Sequence, residues 1–191
     1  MVERLMTIEL NRQTEEDHIK NLVATAQRDP KAFGQLYLLF AQPVYRYLYS
    51  CTGSVPEAED LTAQTFLAAL ERFPSYHHTG YFASWLFSMA HNKAIDYFRR
   101  KRKHTPIDDV ESIPAETNVL GQVIQTERVL GLSILIHTLA EKDQELIRLR
   151  YVADLSFAEI GHVLGQKEDT VKKTLYRLLA RLKFQLEDSH V

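Results

Sequence analysis

Hydrophobic and polar positions recur at helical spacing along most of this chain, and alternating apolar–polar runs are scarce. Only 7 glycines punctuate its 191 residues, so helices dominate the reading. A first helix is predicted over Glu16–Arg28, preceded by a frayed N-terminal segment. It stops near Asp29-Pro30, where Asp caps and Pro opens the next helix. That second helix runs through KAFGQLYLLF to about Ser50, with Pro43 expected to kink it. Ser54-Val55-Pro56-Glu57 joins a capping box to an early proline and starts a third, continuing to Phe73. After the loop PSYHHTG, the stretch Phe82–Lys103 is apolar round most of its circumference. Phe82, Trp85, Leu86 and Met89 lie on one side, and Phe87, Ala90, Ala94 and Phe98 on another. One polar seam remains, Ser84, Ser88, His91, Asn92, Asp96 and Arg99. Such a helix belongs at the centre of a bundle, yet it ends on the adjacent cations Arg99, Arg100, Lys101, Arg102 and Lys103.

From Thr105 to Thr117 the periodicity dissolves. TPIDDVESIPAET holds two prolines and the acids Asp108, Asp109, Glu111 and Glu116, with no cation. That composition predicts a flexible acidic linker over 105–117 between helical domains at 16–104 and 118–187. Helices resume over Asn118 to about Leu139, Lys142–Val152, Ser156–Leu164 and Thr170–Leu186, the third opened by a second capping box, Ser156 to Glu159. The expected fold class is therefore all-α, two small helical domains with a helix-turn-helix in the C-terminal one.

Composition narrows the function classes. A formal net charge of -2 argues against a surface uniformly basic for nucleic acid, but allows a local basic patch offset by the acidic linker. Cys51, the single cysteine, rules out an intrachain disulfide and a four-cysteine zinc site, and its aromatic neighbours suit packing better than a reactive thiol. No signal peptide and no membrane-spanning stretch are legible, which gives the expectation of a reducing, cytoplasmic setting without membrane insertion.

Two patterns carry chemistry. In the helix-turn-helix, Val171, Leu175, Leu178, Leu179 and Leu182 mark the buried stripe of the last helix. Thr170, Lys172, Lys173, Tyr176 and Arg177 gather near its start, where such helices reach base edges and phosphates of duplex DNA. The alternative is a surface helix with solvated cations. In the basic run, one or two cations would suffice to complement a helix C-terminus. Adjacent like charges repel, and point to an external polyanion. A rival of another class, a metal-dependent hydrolase using His77, His78, His91 and Asp96, fits poorly. Adjacent histidines do not converge from a regular element, and His91 and Asp96 miss the i, i+4 spacing of a helical metal pair. No metal or cofactor is expected.

Taken together, RDPKAFGQLYLLF, PEAEDLTAQTFLAALERF, FASWLFSMAHNKAIDYFRRKRK and the terminal helix-turn-helix resemble the extracytoplasmic-function (ECF) sigma factors of bacterial RNA polymerase. The resemblance spans roughly Leu22 to Leu186, and its most specific part is W-L-x-x-x-A-x-N-x-x-x-D-x-x-R from Trp85 to Arg99. It implies a non-catalytic initiation subunit whose partners are the RNA polymerase core (the clamp of the largest subunit), promoter DNA and, typically for the family, an inhibitory anti-sigma factor. Glu57, Asp60, Gln64 and Glu71 would face the clamp. Tyr76, His77, His78, Phe82 and Asn92, with Arg99, Arg100, Lys101, Arg102 and Lys103, would hold the melted minus-ten element. Thr170, Lys172, Lys173, Tyr176 and Arg177 would read the minus-thirty-five element. Three places depart from the family pattern: Gln64 replaces an acid, Gln166, Lys167 and Asp169 give the turn a poor N-cap, and His77 and His78 occupy the base-capturing loop. A nearer rival keeps this fold as an adaptor that does not itself open promoters.

Overall fold

The computed structural model describes residues 2–77, 81–104 and 135–188. The acidic linker, the helix expected from Asn118, and His78 lie outside these residues. Helix α1 spans Val2–Arg28, α2 Phe33–Thr52, α3 Val55–Arg72 and α4 Phe82–His104. In the C-terminal half, α5 spans Glu141–Ile147 and passes into a π-helical turn at Arg148–Val152, followed by α6 at Phe157–Leu164 and α7 at Glu168–Asp188. Every regular element among the described residues is helical.

Two expectations change. Helix α1 does not fray before Glu16: it begins at Val2, because neither Pro nor Gly occurs before Pro30 to interrupt it. The capping box expected at α3 does not form. Ser54 occupies the N-cap, but its hydroxyl donates to the Glu57 carboxylate rather than accepting from the helix backbone. The box at α6 does form, with Ser156 accepting from the Glu159 N–H and Glu159 accepting from the Ser156 N–H.

Helices α2, α3 and α4 bury Leu36, Val44, Tyr47, Leu48, Ala58, Leu61, Leu86 and Phe87 against one another. Each fully buried leucine removes enough apolar surface from water to stabilise the fold by about 1.5–3 kcal/mol. In the C-terminal unit, Leu149, Leu155, Ile160, Val171, Leu175 and Leu182 play the same part. Gly165 ends α6 with φ 64°, a left-handed conformation that glycine adopts without strain. Gly161 is needed for a different reason: a Cβ there would sit 2.7 Å from the Gln166 carbonyl oxygen. That close approach sets the angle at which α6 meets α7.

The two units are not merely tethered. α6 lies along α4, and the π-helical turn packs on α2. Buried residues of both halves form one continuous cluster. No helix among the described residues is long and apolar enough to cross a membrane.

Candidate nucleic-acid interface

The N-terminal end of α4 and the turn before it form an aromatic nest. A 3₁₀ turn at Phe73–Ser75 ends α3, and Gln27 of α1 donates to the Tyr76 carbonyl at 2.6 Å, fixing the chain beyond it. The Tyr76 ring centroid then lies 4.5 Å from that of Trp85 and 5.7 Å from that of Phe82. Burial pushes the Tyr76 hydroxyl up to about 12, so it is a neutral hydrogen-bonding group at any ordinary pH. Phe82 was expected to stack on a base, but at 2% exposure it is packed beneath Tyr76 and Trp85 and presents no face. Trp85 is only partly buried and helps line a cavity of about 350 Å³ with Ser75, Tyr76, His77, Tyr81, Ser84, Ser88 and His162.

Ser84, on the wall of that cavity, is 2% exposed, and its hydroxyl has no hydrogen-bond partner among the described residues. A buried hydroxyl left unpaired costs about 1–3 kcal/mol. Ser88, one turn on, instead donates to the Ser84 carbonyl at 2.7 Å. The polar seam in the sequence was the signal for both, although Tyr81, Ser84 and Ser88 were not singled out as site residues. Asn92 is exposed further along α4, and His77 is exposed at the mouth of the turn.

Seen from Ser84, Arg99 lies about 22 Å further along α4 at the helical rise per residue. Arg99 pairs with Asp96 at 2.9 Å, the helical spacing expected for the seam. Lys101 stands 5.9 Å over the Tyr97 ring, and Arg102 lies 3.8 Å from Glu141 of α5. All of these cations remain exposed, as does Arg100, so the pairs are weak and replaceable. Lys103 lies within α4.

On α7, Thr170, Lys172, Lys173, Tyr176 and Arg177 are exposed together, opposite the buried Val171, Leu175 and Leu178. The Tyr176 ring leans edge-on to Phe157 of α6 with centroids 5.9 Å apart, which fixes it at the helix-turn-helix seam. α7 begins two residues before the expected Thr170, at Glu168. Thr170 and Val171 both donate to the Lys167 carbonyl, so backbone turns replace a side-chain cap.

Along α3, Glu57 is engaged by Ser54, and Gln64 donates to Asp60 at 2.7 Å. The glutamine in place of an acid thus holds a neighbouring carboxylate. Glu71 is exposed, and Leu67 and Leu70 are exposed beside it at 59% and 47%, an apolar component that polar patterning did not predict.

The least expected cluster lies between the units. Tyr47 donates to Glu145 at 2.5 Å, His91 Nδ1 stands 2.9 Å from the same carboxylate oxygen, and Arg148 lies 3.7 Å from the other oxygen. Burial pushes the Glu145 carboxyl up, but hydrogen bonds from His91 and Tyr47, with the charges of His91 and Arg148, outweigh it and hold it below its usual value. Burial also raises the Tyr47 hydroxyl well above its usual value, and raises the Cys51 thiol to about 12, which leaves that cysteine an inert core group. His91 thus pairs with Glu145 across the two units.

Residues 36–104 match the family model for Sigma-70 region 2, and residues 132–182 match that for Sigma-70, region 4. The ECF RNA polymerase sigma factor SigM of Bacillus subtilis is 32% identical over 150 residues, covering 78% of this chain and 91% of SigM. The chain belongs to the ECF sigma factors of RNA polymerase. The ECF sigma factor BldN of Streptomyces coelicolor is 34% identical over 172 residues, which make up 87% of this sigma factor and 65% of BldN. Among solved structures, CnrH in complex with the cytosolic domain of CnrY superposes with a TM-score of 0.64 at 22% identity, covering 87% of this chain and 96% of CnrH. The sigma factor RpoE of Bartonella quintana, in complex with the anti-sigma factor NepR, gives a TM-score of 0.61 at 22% identity and covers 82% of this chain and 98% of that one. These two likenesses establish a shared fold.

Proposed function

We propose that this sigma factor docks on core RNA polymerase through the outer face of α3, captures separated promoter strand along α4, and reads upstream duplex with the first turns of α7. The observation that carries the reading is the pairing, on one helix, of an aromatic-lined cavity and an exposed cationic tail. A single strand is held by such a combination, a base against an aromatic surface and the backbone along positive charge. Tyr76 and Trp85 supply the surface and Arg99 to Lys103 the charge, with Asn92 between them. Phe82 shapes the cavity from below. On α7, Lys172, Lys173 and Arg177 are placed for phosphates and guanine edges, with Thr170 and Tyr176 beside them.

Docking would rest on Glu57, Asp60 and Glu71 together with Leu67 and Leu70, Gln64 acting through Asp60. The domain boundaries that suit this division are 16–104 and 118–187. Its action is positional and electrostatic, without catalysis, and its place is the cytoplasm, with an anti-sigma factor as the expected inhibitor.

The test is reconstitution with core polymerase on a promoter library and sequencing of the transcripts. Start-site-specific transcripts support the reading, whereas their absence favours an adaptor. In the same assay, the Lys173→Ala, Arg177→Ala double variant should weaken promoter recognition between about tenfold and a hundredfold with core binding intact. Loss of both activities together would mean a misfolded C-terminal unit.

A further inference from the structure

Tyr176 breaks the charged character of the exposed side of α7. Lys172 and Lys173 lie one turn before it and Arg177 follows it, all of them exposed cations. Tyr176 is itself 54% exposed, and among the described residues its hydroxyl makes no hydrogen bond. A ring left half in water on a charged face is apolar surface that a partner has still to cover.

The ring is nevertheless held. Phe157, the first residue of α6, meets it edge-on with centroids 5.9 Å apart and planes at 63°. Phe157 is only half-buried, and the Arg150 guanidinium lies over its ring at 5.1 Å from the centroid. Arg150 makes no ion pair among the described residues; its other tie is a hydrogen bond donated to the Leu155 carbonyl at 2.7 Å. Its charge is therefore committed to an aromatic ring and a backbone oxygen.

That hydrogen bond closes a turn with a demanding backbone. Asp154 takes φ 55°, a left-handed conformation uncommon for a residue with a side chain. Both polar groups of Leu155 are pinned, its N–H donating to the Leu149 carbonyl at 3.0 Å and its carbonyl accepting from Arg150. Ser156 then caps α6 through its box with Glu159, and Phe157 follows directly. The place of Phe157 against Tyr176 is thus set from the turn. Arg150, Phe157 and Tyr176 form a series from the π-helical turn, through the start of α6, to the exposed side of α7.

A ring held in advance suits recognition. A free tyrosine loses rotamer freedom on binding, whereas one already oriented loses little. In the major groove, base edges are polar except at the 5-methyl group of thymine, so an aromatic surface has one apolar target there.

We propose that Arg150 and Phe157 are positioning residues that hold the Tyr176 ring for contact with the 5-methyl group of one thymine in the upstream duplex. The proposal rests on the reading of α7 given above, and it adds a base and two supporting residues to it.

The test uses reconstituted holoenzyme and a duplex promoter recovered from the library. Each thymine of its upstream element is replaced in turn by deoxyuridine, which pairs identically and lacks only the methyl group. At one position the wild-type complex should weaken about fourfold, the worth of one buried methyl group. Tyr176→Ala should bring that ratio close to one. Phe157→Ala should bring it below about twofold, because the ring is no longer oriented, while Phe157→Tyr, which keeps a ring there, should retain it. The ratio compares two DNAs with one protein preparation, so an unfolded fraction cancels. Should Phe157→Ala not bind at all, Arg150→Met, which loses the guanidinium and keeps the stem, should lower the ratio in its place. If no thymine methyl matters to the wild type, the contact is overturned. A ratio lost in Tyr176→Ala but intact in Phe157→Ala and Arg150→Met overturns the positioning role. Full promoter recognition by the Lys173→Ala, Arg177→Ala variant would instead remove the reading of α7 on which both depend.

Discussion

Replacing Arg99, Arg100 and Lys101 with Ala tests the cationic tail of α4 where its chemistry is most distinctive, in the salt dependence of the promoter complex. Each phosphate of a single strand neutralised by a cation releases counterions and contributes about 0.7 to the slope of log K against log salt. Of the three side chains, Arg100 makes no ion pair among the described residues, and Lys101 lies over the Tyr97 ring at 5.9 Å. Arg99 is held by Asp96 at 2.9 Å with its side chain 67% exposed. An exposed pair of that kind is worth only about 0.2–1 kcal/mol, so a phosphate displaces the carboxylate readily. All three cations therefore count, and the triple variant should shallow the slope by about 2. The assay is fluorescence anisotropy of holoenzyme on a promoter carrying a premelted bubble, titrated across potassium chloride. Asp96→Ala serves as the companion: it removes the competing carboxylate and should tighten binding by up to about fivefold while leaving the slope nearly as steep. Weaker binding of the triple variant at an unaltered slope would refute the reasoning, because the cations would then be supporting the helix end and not the strand.

Two further outcomes follow from the fold. Gly161→Ala places a methyl group 2.7 Å from a backbone oxygen that cannot rotate away, so the turn between α6 and α7 must shift. The cost is about 1–3 kcal/mol, a fall of about 3–10 °C in the melting temperature; recognition of upstream duplex should suffer while core binding persists, and an unchanged melting curve would dismiss the clash. Glu145, facing Tyr47, His91 and Arg148 with Cys51 close by, is held below its ordinary value of 4.5. Its contribution to stability is therefore complete above that value and is lost as pH falls through the lower folded value. Glu145→Gln should narrow its melting-temperature gap to wild type between about pH 6 and about pH 3.5, and a gap that stays constant would deny the carboxylate its charged role.

Much of the site could be read along the chain because it is local. The seam Ser84, Ser88, His91, Asn92, Asp96 and Arg99 requires only helical spacing to appear on one face, and the Arg99–Asp96 pair follows from the same spacing. The capping box at Ser156 is likewise a four-residue event and forms as expected, whereas at Ser54 the hydroxyl donates to Glu57 and accepts no backbone N–H. Phe82 could not be assigned correctly in this way. Whether an aromatic ring is a platform or a floor depends on what covers it, and here Tyr76 and Trp85 do.

Local patterning along the chain was enough to make it helical, to put α4 at the centre with a cationic end, and to set Lys172, Lys173 and Arg177 on one side of α7. Each of these depends on residues within a few turns of one another. It took the packed molecule to show that Glu145 meets Tyr47, 98 positions away, and that His162 joins Trp85 in lining one cavity. Periodicity shows which face of a helix is buried but carries no record of its neighbour. A charged residue within a buried stripe reads as an anomaly until the partner that neutralises it is brought alongside.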